Sequence, residues 1–291
     1  MFELNKSQKT ILCSIKTQST FCCFCCHHHH QGKTNKNGLK IYGRAIRHKT
    51  ASLCPVGAFA FYLAFRFSVT KEFEEYDLLD WKTNSKWFDI KLLIDSTNFV
   101  ADRTANMKND TYSKAVRTVL QELGIKSTHW VHLGRVTGPK MLEMEEIPEP
   151  EIKRLGNWDQ KVYNKCYSGK LPMQPMRSIG GFHQAKGMYF NPRTTAKPPI
   201  ELVLQTPFKF AVINCDLVWE SIRNNNSAGS TAHTFLKLCK ELAVVFLQDA
   251  AAIWIENPER RDHPLFTLDV FQSQEWKVRV LCFYLSVQDV T

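Results

Sequence analysis

Residues 234–255 alternate apolar and polar side chains at helical spacing, and the second half of the run is unusually apolar. A helix patterned this way cannot stand alone in water, so other elements must cover it. Residues 200–221 read as a second helix. N-N-N-S-A-G-S at 224–230 lies between them as a flexible loop. The stretch 275–290 reads as a further helix or as strands. The apolar faces of this C-terminal part suit a bundle that packs on the preceding domain or on another protein.

Proline and glycine punctuate the rest. Cys54-Pro55-Val56-Gly57 opens a helix running to about Phe67, with Pro55 near its first turn. Leu53, Val56, Ala60, Leu63 and Ala64 keep helical spacing. Residues 68–107 are mixed. Asp110 or Thr111 is placed to cap the next helix. Its stripe is Tyr112, Ala115, Val116, Val119, Leu120 and Leu123, and Gly124 ends it. Residues 127–135 lead into a helix through Met141 and Met144, which Pro148 breaks. Pro150 begins a short helix through Leu155, and Gly156 stops it. Further helical turns are expected around Trp158, Tyr163 and Tyr167. The Pro-rich break at 191–199 is the best candidate boundary.

Upstream, L-K-I-Y-G-R-A-I-R-H from Leu39 reads as a strand or hairpin arm. Residues 1–38 are polar and of low complexity, and disorder is expected there. They contain F-C-C-F-C-C-H-H-H-H, whose C-x-x-C spacing and imidazoles suit zinc. No second, separated ligand pair closes a site, so no metal is expected. The fold expectation is mainly α with a small β-hairpin and a helical C-terminal region. Its units are 1–38, a domain at 39–200, and a helical domain at 201–291.

Charge narrows the partner. The chain carries a formal net charge of +10, and residues 152–200 hold nine Lys or Arg against Asp159 alone. Residues 143–151 are the reverse, with Glu143, Glu145, Glu146, Glu149 and Glu151. A basic stretch around a phosphate site is what contact with a DNA backbone requires. Six of the ten cysteines are scattered singly, which is no disulfide framework and suits a reducing compartment. The apolar run at 53–65 is too short to span a bilayer. Neither a membrane, a cofactor nor a small-molecule substrate is expected.

Four residues carry chemistry: His132 and Arg135 in H-L-G-R, Trp158 ending L-G-N-W, and Tyr167 in K-C-Y. A phosphodiester gains negative charge as a nucleophile attacks. The planar fork of arginine grips two nonbridging oxygens. A histidine three residues away on a helical turn adds a donor, and the Trp158 indole N–H supplies another. Tyr167 suits a nucleophile that would hold the broken strand as a phosphotyrosine. Each has a plainer reading as well: a solvated helix face, a core anchor, or a simple DNA-backbone contact.

The order H-x-x-R, L-G-x-W and a tyrosine nine residues on resembles the catalytic core of tyrosine recombinases. G-R-A-I-R-H-K, L-C-P-V-G-A-F-A-F-Y-L, W-F-D-I-K-L-L, I-K-R-L-G-N-W, K-L-P-M-Q-P-M-R-S-I-G-G-F and K-G-M-Y-F-N-P-R are similar to the DNA-binding domain of the large subunit of the budding-yeast centromere-binding complex. They are also similar to recombinases of Crypton mobile elements. The resemblance covers roughly 39–200. It implies a tyrosine-recombinase-like catalytic-domain fold that binds double-stranded DNA in the nucleus, as a homodimer or within a protein complex. The implied backbone contacts are Arg44, Arg47, His48, His132, Arg135, Lys153, Arg154, Lys161, Lys165, Lys170, Arg177, Lys186 and Arg193. For an active enzyme of the Crypton type, cutting and rejoining DNA, it implies Tyr167, Arg135, His132, Trp158 and a hairpin lysine, Lys40 or Lys49. Those enzymes need a further arginine before the hairpin, and no arginine precedes Arg44 here. Either the phosphate clamp is incomplete or the chain is a piece of a longer one. The first reading is therefore DNA binding without cleavage.

Overall fold

The computed structural model describes residues 11–18, 21–28, 41–69, 71–83, 86–87, 89–95, 102–156, 158, 172–183, 191–225 and 230–279. Strands β1 (Ile11–Gln18) and β2 (Phe21–His28) pair antiparallel, and β3 (Ile41–Ile46) adds to the far side of β2. Within the stretch 1–38, where disorder was expected, residues 11–18 and 21–28 are thus paired strands, and the remainder lies outside the described residues. Isoleucine, threonine, phenylalanine and compact cysteine favour extended backbone, and the two-residue separation of β1 from β2 favours an antiparallel pair. The side chains of the Cys/His tract lie outside the described residues, and with them the zinc question.

Helix α1 (Pro55–Val69) starts where Pro55 predicts it. The Gly57 N–H is received by Cys54 Sγ at 3.2 Å, which serves one of the free amides of the first turn. Val56, Ala60, Leu63, Ala64 and Phe67 are buried. Arg66 is buried among them because its guanidinium reaches two carbonyls, Lys91 O at 2.6 Å and Leu92 O at 2.9 Å. The Tyr62 hydroxyl donates to Leu92 O at 3.3 Å. These bonds tie α1 to the irregular segment after α2 (Glu72–Leu78), which ends in a short pair, β4 (Ile94–Asp95) and β5 (Asp102–Asn106).

Helix α3 (Asn109–Glu122) begins ahead of the caps expected at Asp110 or Thr111. Lys108 is the N-cap, and Asp110 lies in the first turn. Gly124, at φ 71°, closes it in the left-handed region. The stripe is not buried: Tyr112, Val119 and Leu123 are exposed. Helices α4 (Leu133–Met144) and α5 (Glu149–Leu155) follow the predicted breaks at Pro148 and Gly156. Leu142, Ile147 and Ile152 form a small core between them. Helix α6 (Met173–Ile179) packs against both and reaches β3.

The stretch read as one helix over 200–221 is two, α7 (Ile200–Leu204) and α8 (Lys209–Asn225). Pro207 has no N–H to continue the ladder, and the Thr206 hydroxyl turns back onto Val203 O at 2.6 Å. Helix α9 (Ser230–Glu256) is the long apolar helix and packs against both α8 and α1. A short α10 (Asp269–Gln272) packs on the same core, and residues 274–279, helical in turn, add Trp276 to it.

That core joins both sides of position 200. Phe67 of α1 meets Tyr76, Phe208 and Phe210 edge-on, with ring centroids 5.5, 5.7 and 5.5 Å away. Phe61 meets Phe246 of α9 at 5.1 Å. The Pro-rich break at 191–199 therefore lies beside a continuous hydrophobic cluster that draws on residues from Cys54 to Trp276. The architecture is mainly α, with a small antiparallel sheet and a helical C-terminal region.

Candidate nucleic-acid interface

Strand β3 delivers Arg47, His48 and Lys49 into a turn held from several sides. The Lys49 N–H donates to Gly180 O at 2.8 Å. Gly180 lets α6 approach this closely, since a Cβ there would stand 2.9 Å from Ile46 Cδ1. Gly181, at φ 77°, adopts a backbone that only glycine takes readily, and a Cβ there would lie 3.1 Å from His48 Nε2. The missing side chain leaves that ring edge open.

His48 Nδ1 is 2.9 Å from the Thr50 N and 3.1 Å from Thr50 O. The neutral ring accepts from the amide, and the protonated ring donates to the carbonyl. On this hydrogen-bond assignment Nε2 carries a hydrogen in either state and is available as a donor. The Lys49 side chain beside it is exposed.

Arg47 and Arg193, expected from the sequence to touch DNA, are 1% and 4% exposed. Their charge is used inside. Arg47 donates to Asp249 Oδ1 and to Gln248 Oε1. Arg193 Nε donates to the same Asp249 oxygen at 2.8 Å. Arg193 also donates to Lys49 O and, at 2.8 Å, to His48 O. Asn191 Nδ2 donates to His48 O at 3.1 Å, while its Oδ1 accepts from the Arg193 N–H at 3.2 Å. A buried guanidinium needs both a counter-charge and acceptors for its hydrogens, and this cluster supplies the counter-charge to both arginines and acceptors to the terminal nitrogens. Nearby, burial pushes the Cys54 thiol and the Glu256 carboxyl up from their ordinary values.

His132 and Arg135 stand on another turn. His132 closes a 3-10 turn (Trp130–His132) and is the N-cap of α4, and Arg135 lies in the first turn of that helix. Both side chains are exposed, and among the described residues neither takes a hydrogen bond or ion pair. Pro139, inside α4, removes the N–H that would bond the Arg135 carbonyl. A helix N-terminus with adjacent exposed cationic side chains suits a phosphate oxygen.

Trp158 is a packing residue in this structure. Its ring lies over Gly156, where a Cβ would come within 2.6 Å of Trp158 Cδ2, and against the Leu142–Ile147–Ile152 core. Lys153 and Arg154 pair along α5 with Glu149 and Glu151 at 2.6 and 2.7 Å, so part of the acidic run is matched by part of the basic one. Arg177 is half-buried on α6. Arg44 lies on β3 opposite Cys25, its side chain outside the described residues. Tyr167, Lys161, Lys165, Lys170 and Lys186 also lie outside them, so the four-residue constellation is described only at His132, Arg135 and Trp158.

The residues missed from sequence are Asp249, Gln248 and Asn191. Asp249 had a signal: an acid set in the apolar second half of α9 must meet a buried cation.

These features define a basic, mainly helical domain with a small antiparallel sheet and two exposed turns carrying histidine with lysine or arginine. Residues 3–277 match the family described as the centromere DNA-binding protein complex CBF3 subunit, domain 2, and the chain belongs to that family. The matched residues include β1 and β2 and extend past position 200. No curated relative matches the chain.

Proposed function

We propose that this chain binds double-stranded DNA through its phosphate backbone, as part of a nuclear centromere assembly, and does so without cutting it. The observation that carries the reading is the exposed His132–Arg135 pair at the start of α4. The domain pairs Arg47, Arg193, Lys153 and Arg154 internally, yet among the described residues this arginine meets no acid. His48 Nε2 and the Lys49 ammonium offer a second contact of the same chemistry. The family's description as a centromere DNA-binding subunit supports the same partner and the nuclear location. Homodimerisation and a recombinase-like ancestry remain part of this reading through the sequence resemblance. Among the described residues no helix is long and apolar enough to cross a membrane.

Gel-shift titrations of a duplex at several salt concentrations test it. Wild type should bind, with affinity falling steeply as salt rises. Arg135→Ala should weaken binding similarly across sequences and reduce the salt slope by about 1. A folded protein that does not bind duplex at low salt would refute the reading, and an unchanged slope in Arg135→Ala would refute the assigned contact.

A further inference from the structure

We infer that Arg193, Asn191 and Asp249 are positioning residues for a phosphate contact made by the His48–Lys49 turn. The inference rests on the DNA-binding reading and deepens it.

The turn is short and exposed, and a lysine on such a turn ordinarily samples many directions, which costs entropy when it is fixed on a ligand. Here its backbone is held at consecutive carbonyls. Arg193 spans them, donating to Lys49 O and to His48 O, and Asn191 takes His48 O as well. The Lys49 N–H is fixed on Gly180 O from the opposite side. Thus both polar backbone groups of Lys49 are engaged while its side chain points to solvent.

Arg193 can do this only because it is oriented in turn. Its Nε is bonded to Asp249 Oδ1, which leaves both terminal nitrogens for the turn. Asn191 fixes the backbone N–H of Arg193. Asp249 also binds Arg47, the residue preceding His48, and Gln248 takes Arg47 while donating to Ala196 O at 2.6 Å. Both ends of the turn are therefore anchored on α9. None of the three residues needs to touch DNA: Asp249 is 0% exposed, Asn191 0% and Arg193 4%. A lysine at position 193 would keep the charge beside Asp249 but could not form the planar fork that bridges two carbonyls.

The test is a double-mutant cycle on duplex affinity with the full chain, each variant first checked for cooperative unfolding. Lys49→Ala should weaken binding about fivefold to tenfold and lower the salt slope by about 1. Arg193→Lys should weaken it to a similar extent. Arg193→Lys with Lys49→Ala should then be no worse than about twofold below the weaker single variant, because the buried residue acts through the exposed one. Asn191→Ala, which leaves the Asp249 pairs intact, is the second arm if Arg193→Lys does not fold, and should show the same coupling. Fully additive losses in the variant that folds would overturn the positioning role while leaving DNA binding in place. No binding by folded wild type would overturn both.

Discussion

Gly57→Ala tests the buried cluster from the side of α1. Gly57 sits in the first turn of the helix, where alanine is the better helix former by about 1 kcal/mol. If local propensity decided, the variant would be more stable than wild type. Packing argues the opposite. A Cβ at position 57 would overlap Asp249 Oδ2 and stand 3.1 Å from its Cγ and 3.4 Å from Cys54 Cβ. The carboxylate cannot simply turn aside, because its other oxygen holds both Arg47 and Arg193. Either α1 shifts away from α9, an overpacking cost of about 1–3 kcal/mol, or the ion pairs break, at about 3–5 kcal/mol for a buried pair that loses a partner. The second cost exceeds the propensity gain throughout and the first does so above its low end, so a net loss of up to about 4 kcal/mol is expected. Urea unfolding would show it as a lowered midpoint at unchanged slope. Gly134→Ala is the companion measurement: nothing lies within 4 Å of a Cβ there, and a gain of about 0.5–1 kcal/mol is expected. Stability of Gly57→Ala at or above wild type would refute the clamp.

Three further outcomes are expected. Burial, the largest influence on Glu241, raises its pKa despite the opposing effect of Lys237 and Lys240. The folded state then holds the proton more tightly than the unfolded one, so stability falls as pH rises from the ordinary carboxylate value through the raised one. Glu241→Gln should therefore stabilise at neutral pH, with the gain vanishing below the ordinary carboxylate range; a constant difference in unfolding free energy across that range would contradict the assignment. Trp158→Ala should cost about 1–3 kcal/mol in chemical denaturation, since a half-buried ring is removed from the Leu142–Ile147–Ile152 core, and Trp158→Phe should recover most of it. Lost DNA affinity in Trp158→Phe at full stability would instead mark the indole N–H as a phosphate donor. Tyr167→Phe should leave duplex affinity within about twofold, and a suicide duplex should trap no covalent complex with wild type. A trapped complex that disappears in the variant would establish strand transfer in place of simple binding.

Local pattern determined much of the α architecture. Pro55 marks the start of α1, Pro150 lies at the start of α5, and Gly124 and Gly156 stop their helices, because each acts through its own backbone and needs no distant partner. The apolar spacing of 234–255 likewise required a helix covered by others, as α9 is by α1 and α8. The sequence also displayed His132 and Arg135 as a pair on one turn, and the structure leaves both exposed. Its guide to the other cations was poorer. In sequence Arg47, His48 and Lys49 are three adjacent basic or ionisable residues, and nothing local separates the buried one from the exposed one. The separation depends on Asp249, 202 positions from Arg47 and 56 from Arg193. Only the packing of α9 beside α1 brings that carboxylate to both guanidiniums, and a charge so placed turns two candidate DNA contacts into the internal support of their neighbours.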